Sequence, residues 1–107
     1  ADASKAAVVL NPFAANGKAG KRWARIEPRI RAVLGDYTLL QTDRPWHATE
    51  LVRKALREGT ELIVSVGGDG THHEVVNGFF DQYMTINPSA RLAVFPQGTG
   101  SDFVRTL

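Results

Sequence analysis

The stretch ELIVSVGGDGTHHEVVNG, residues 61–78, changes character twice. Glu61-Leu62-Ile63-Val64-Ser65-Val66 is a short apolar run with β-branched residues, the pattern of a buried strand. Three glycines then surround an aspartate, Gly67-Gly68-Asp69-Gly70. Thr71-His72-His73-Glu74 fits the Ser/Thr-x-x-Glu capping box, in which the threonine oxygen accepts from a free helix amide and the glutamate reaches back. Strand, glycine turn and helix are therefore expected in that order. Bare backbone lets a ligand approach closely, and the first-turn N–H groups with the helix dipole favour an anion such as phosphate. Asp69 would repel that phosphate unless a cation or a transferable proton lay between them, and Mg²⁺, which takes carboxylates, waters and nucleotide phosphates, fits the need. A tight strand-to-helix connection, with Asp69 bonding only local amides, is the alternative reading of the same residues.

Working outward, Ala6 to Leu10 reads as a buried strand ending at Asn11-Pro12, followed by a loop over Phe13 to Gly20. Trp23, Ile26, Ile30, Val33 and Leu34 recur at helical spacing, and Pro28 is expected to kink or split that helix before Gly35-Asp36 ends it. Tyr37 to Thr42 reads as a second strand and Asp43-Arg44-Pro45 as a turn. His47 to Glu58 forms a helix with Leu51, Val52, Ala55 and Leu56 inward, and Gly59 is its stop. Val75, Val76, Phe79 and Phe80 make the apolar stripe of the third helix, and they read as core rather than ligand contacts. After Asn87-Pro88-Ser89, Arg91 to Phe95 is a fourth strand, and a further helix is expected to start at Ser101-Asp102.

Four strands alternating with helices predict an α/β domain with a parallel sheet covered on both faces. Ligands bind such sheets beyond the carboxyl ends of the strands. The segments 11–20, 42–46, 67–71 and 96–101 each follow a predicted strand, so all four should converge on one edge, where loops carry function.

Composition bounds the alternatives. A chain of 107 residues with 43% hydrophobic content suits one domain with an ordinary core. Thirteen basic against eleven acidic residues give a net charge of +2, and no Lys/Arg block exceeds a pair, which argues against nucleic acid as a partner. Cysteine is absent, excluding disulfides, thiolate metal sites and a cysteine nucleophile. No apolar run approaches the ~20 residues a membrane span needs, and the first residues do not resemble a signal peptide, so a soluble, cytoplasmic protein is expected. The adjacent His72 and His73 would point about 100° apart on a helix and do not chelate one ion. His47 reads as a helix-start or packing residue. Gly-x-x-x-x-Gly-Lys-Ser/Thr is absent, as are a Gly-x-Gly-x-x-Gly after the first strand and the protein-kinase signatures.

Gly67-Gly68-Asp69-Gly70-Thr71, continued by Glu74-Val75-Val76-Asn77-Gly78, resembles the nucleotide loop of the diacylglycerol kinase catalytic domain, shared with bacterial lipid kinases and sphingosine kinases. Asn11-Pro12, Thr42 with His47-Ala48 and Glu50-Leu51, and Pro96 with Gly98-Thr99-Gly100 and Asp102-Phe103 resemble further segments of that family in the same order. The glycine motif also occurs in NAD kinases and phosphofructokinases; the Gly-Thr-x-x-Asp-Phe segment points to lipid kinases. The resemblance implies a Rossmann-like three-layer sandwich with a mostly parallel sheet, like the N-terminal domain of NAD kinases and diacylglycerol kinases. It implies that Gly67, Gly68, Asp69, Gly70, Thr71, His72 and His73 wrap the phosphates of ATP, with Asn11, Thr42 and Thr99 contacting the nucleotide. Asp69 would organise Mg²⁺ and phosphate and support transfer of the γ-phosphoryl group to a lipid hydroxyl.

Ser101 stands where the family usually has asparagine, and Phe13 to Gly17 is looser than the usual Asn-Pro-x-Ser-Gly pattern. His73 before Glu74 is similar to the sphingosine-kinase version, whereas Asp102-Phe103-Val104-Arg105 is similar to the bacterial one, which leaves the lipid open. The resemblance also implies a second, β-rich lipid-binding domain in a longer parent protein, with residues 1–107 as its nucleotide-binding lobe, ending inside the last predicted helix. Transient association of the parent with a membrane surface follows from a lipid substrate. An NAD-kinase-like enzyme and a non-catalytic nucleotide-sensing module are the alternative functions.

Overall fold

The structure is a computed structural model that describes residues 5–13, 17–96 and 105–106. In chain order it contains β1 (Ala6–Leu10), α1 (Lys18–Leu34), β2 (Thr38–Gln41), α2 (His47–Arg57), β3 (Leu62–Gly67) and α3 (Asp69–Asn77), then a small hairpin of β4 (Phe80–Asp81) and β5 (Met84–Thr85), then β6 (Arg91–Pro96) and β7 (Arg105–Thr106). The main sheet has the order β2-β1-β3-β6-β7. Its first four strands are parallel, as the alternation of strand and helix predicts.

The apolar runs that read as buried strands are buried because both faces of the sheet are covered. On β1, Ala7 and Val9 enter one core while Val8 and Leu10 enter the other; on β3, Ile63 faces the first and Val64 and Val66 the second. Ala48, Val52, Ala55 and Leu56 of α2 and Val75 of α3 close the first core. Ala19, Ile26 and Ile30 of α1 close the second, together with Ala93 and Phe95 of β6. Helices on both faces make the three layers expected. Fully burying one such Val or Ile contributes about 1.5–3 kcal/mol, so the two cores together fix the strand register.

Several expectations about local structure are corrected. Helix α1 runs as one element through Pro28; Pro28 and Ala24, the residue whose carbonyl loses its amide partner, both lie on the exposed side of the helix. The stripe Val75-Val76-Phe79-Phe80 does not continue as a helix. Only Val75 is fully buried, Phe79 packs at the margin of the core, Val76 and Phe80 are exposed, and Phe80 begins β4. The helix expected from Ser101 onward does not hold at Arg105–Thr106, which pair antiparallel with Val94 and Ala93 of β6. The start of that expected helix lies outside the described residues.

Candidate functional site

In the sheet order, β2 lies on one side of β1 and β3 on the other. The chain leaves β1 through α1 on one face and reaches β3 through α2 on the opposite face. The crevice beyond the carboxyl ends of β1 and β3 is therefore the topological switch point, where open α/β sheets bind ligands. Asn11 follows β1, and the glycine turn follows β3. Strand β6 ends at Pro96 in register with Gly67, at the same edge; Thr99 and the rest of its Gly-Thr segment lie outside the described residues.

The three glycines of the turn differ. Gly67 has φ +155°, and a Cβ there would lie 2.7 Å from Thr71 Oγ1, so the chain itself demands glycine. Gly68 has φ −94°, which any residue adopts, and a Cβ there would meet nothing within 4 Å. Gly70 likewise has open space where a side chain would stand. Helix α3 starts at Asp69 with Gly68 as its N-cap, one turn earlier than a capping box centred on Thr71 requires. A glycine cap offers no side chain, so the first-turn N–H groups gain no cap bond from it. Thr71 instead lies within the first turn, where it is buried and its Oγ1 accepts from Asn11 Nδ2 at 3.5 Å. Asn11 Oδ1 also accepts from the Phe13 amide at 3.0 Å, which ties the loop after β1 to the start of α3.

Asp69 is exposed beside these open positions, at the positive end of the helix dipole. His72 points inward: its Nδ1 lies 2.7 Å from the Oγ of Ser65, which is fully buried on β3. Burial holds the His72 imidazole below its ordinary pKa, opposed by the Asp69 carboxylate and by a bond to the Gly67 backbone. His73 is exposed and meets the Trp46 ring at 6.3 Å between centroids, with the planes 61° apart. Thr42 is buried at the end of β2; its Oγ1 donates to the Leu10 carbonyl at 3.4 Å, alongside its own amide at 2.9 Å. His47 Nδ1 lies 3.1 Å from the Asp43 amide, the helix-start contact expected of it.

The structure thus brings Asn11, Gly67 and Thr71 into one packed unit and places Gly68, Asp69 and Gly70 around open space beside it. It turns His72 and Thr42 toward the protein. Two residues went unremarked in the sequence. Ser65 had a signal, as the one hydroxyl inside an apolar strand; Trp46 sits in a loop expected at this edge, and its backbone conformation had none. Among the described residues no group of three or more His, Cys, Asp or Glu gathers as a metal cage. A groove of about 920 Å³ between the end of α1 and β6, lined in part by Ile30, Leu34, Leu62 and Phe95, contains none of the candidate residues.

These features define an open parallel α/β domain with a glycine turn and a helix N-terminus at its switch point. The chain belongs to the diacylglycerol kinase catalytic domain family, which it matches over residues 5–107. It is 37% identical over 76 residues to human sphingosine kinase 1, covering 70% of this chain and 20% of that protein. It is 40% identical over 67 residues to diacylglycerol kinase of Staphylococcus haemolyticus, covering 62% and 19%. A crystal structure of a diacylglycerol kinase from Bacillus anthracis str. Sterne superimposes with a TM-score of 0.71 at 29% identity, covering 96% of this chain and 36% of the other. The chain therefore spans about a fifth of these curated relatives, and they are lipid kinases. Among the described residues no helix is long and apolar enough to cross a membrane.

Proposed function

We propose that this chain is the ATP-binding lobe of a lipid kinase that transfers the γ-phosphoryl group of ATP to a lipid hydroxyl. The observation that carries the reading is the division among the glycines. Gly67 is required by Thr71, whereas Gly68 and Gly70 lack a Cβ where the protein itself would accept one. Space kept free of side chains at a helix N-terminus suits the phosphates of a nucleotide. The backbone from Gly68 to Thr71 would hold them, with Asn11 bracing the turn through Thr71.

Asp69 fits Mg²⁺ delivered with the nucleotide, because this ion keeps waters and phosphate oxygens and needs only one or two carboxylates. When bound, Mg²⁺ would screen Asp69 from the phosphates and neutralise charge that builds during transfer. Thr42 and His72 contribute behind the phosphates, by ordering β2 and the glycine turn. His73 and Thr99 belong to the nucleotide-facing set by resemblance. The acceptor, a diacylglycerol-like lipid or a sphingoid base, would be held by a second, β-rich domain of the parent chain, which would meet its substrate at a membrane surface.

Gly68→Val and Asp69→Asn test the reading in the parent protein. Gly68→Val should fold normally by circular dichroism and bind ATP at least tenfold more weakly in calorimetry, because its side chain fills the open space. Asp69→Asn should bind ATP with a smaller enhancement by Mg²⁺ than the wild type. A folded Gly68→Val protein with unchanged ATP affinity would refute the phosphate loop.

A further inference from the structure

Trp46 combines three observations that the phosphate site does not use. Its backbone is left-handed, with φ +66° and ψ 1°, at the N-cap of α2. For a bulky residue that conformation is a true outlier, and such strain persists mainly where a binding or catalytic site holds it in place. Trp46 is 56% exposed, although tryptophan is a residue that proteins usually cover. Its contact with His73 is an edge contact at 61°, which covers little of the ring. A turn that only had to join β2 to α2 would be served better by glycine.

The position gives this exposed ring a use. His73 lies four residues after Asp69, about one helical turn along α3, and the Trp46 and His73 ring centroids are 6.3 Å apart. The indole is thus on the order of 10 Å from the helix start that faces the open glycines. A base joined to a triphosphate through ribose spans that separation. We propose that Trp46 is the stacking platform for the nucleobase of the bound nucleoside triphosphate. The proposal rests on the phosphate-loop reading and adds the second anchor of the same ligand. Stacking uses the π-face that every base has, so the platform supplies affinity without selecting among bases.

The test compares ATP, GTP and inorganic tripolyphosphate, each with Mg²⁺, by calorimetry on the parent protein and three variants. Trp46→Gly removes the ring and relieves the backbone; Trp46→Leu keeps the backbone strain and apolar bulk without a π-face; Trp46→Phe keeps an aromatic face. The first two should lose ATP and GTP affinity on the order of ten- to a hundredfold, while tripolyphosphate binding stays within twofold and Trp46→Phe retains most of the affinity. Trp46→Gly should also be at least as heat-stable as the wild type, which a merely structural tryptophan would not allow. Wild-type ATP affinity in Trp46→Gly or Trp46→Leu overturns the platform while leaving the phosphate loop standing. Failure of the wild type to bind both ATP and tripolyphosphate overturns the loop and the platform together.

Discussion

His72 shows how one side chain can serve the turn from behind. Its partner Ser65 is fully buried, and its Nδ1 contact at 2.7 Å crosses from α3 to β3 under the glycines. Burial lowers the pKa of the imidazole, the Asp69 carboxylate opposing, so the folded protein binds a proton at this position less readily than the unfolded chain does. Stability from this group is therefore complete above the unfolded value of ~6.5 and falls as pH drops through that value toward the lower folded one. Denaturant titrations between pH 7.5 and 5, run on the wild type and His72→Gln, measure the contribution. The wild type should lose stability more steeply than the variant over that window. Parallel curves would show that the buried contact does not govern protonation. Trp46 belongs to this scale as well, since its strain is confined to a single residue's φ.

At the scale of elements, the N-terminal end of α3 is positioned by what grips its other end. Gly78 follows α3 against α2, and a Cβ added there would lie 2.6 Å from Val52 Cβ and 3.0 Å from the Thr49 carbonyl. Thr49 Oγ1 donates to the Glu74 carbonyl at 2.7 Å, and Arg53 Nε donates to the Phe80 carbonyl at 3.1 Å. Close approach between the helices lets these bonds form and keeps Val52 and Val75 sealed in one core. Gly78→Ala should destabilise the protein by about 1–3 kcal/mol, the usual cost of forcing extra volume into a packed contact. It should also weaken ATP binding, because α3 would tilt as a unit and carry Gly68 to Gly70 with it. Urea unfolding and calorimetry measure the two effects. A change in stability below about 0.5 kcal/mol, the range of ordinary surface substitutions, would show that the helices separate without strain.

At the scale of the whole molecule, the proposed two-domain lipid kinase would make this site one side of a cleft. Phosphoryl transfer needs the acceptor hydroxyl held in line with the γ-phosphate, and that alignment supplies much of the rate. The chain covers 36% of the solved relative from Bacillus anthracis and 20% of human sphingosine kinase 1. Residues 1–107 prepared alone should therefore bind ATP or ADP weakly at best and phosphorylate no lipid above background, whereas the parent protein should do both. Radiolabelled ATP with a panel of diacylglycerol and sphingoid bases makes the comparison. Robust phosphorylation by residues 1–107 would overturn the two-domain account, and a folded parent that binds ATP without phosphorylating any lipid would favour nucleotide sensing.

Much of the layered fold is legible in local pattern. Apolar runs such as Ala6 to Leu10 and Leu62 to Val66, the latter broken only by Ser65, are characteristic of strands buried on both faces, and helical periodicity lies between them, so a parallel sheet with helices on two sides follows. The glycine turn is legible too, because glycine and aspartate between a strand and a helix state a backbone need. Tertiary structure decided which glycine meets which need: Gly67 serves the packing of Thr71, while Gly68 and Gly70 face open space. It also decided that Asn11 reaches Thr71 and that His72 turns to Ser65, since these partners meet only when β1, β3 and α3 are assembled. The end of α3 at Asn77 and the antiparallel pairing of Arg105–Thr106 escaped the sequence for a related reason. Short elements take their form from neighbours on other strands, whereas long periodic ones carry the signal in their own side chains.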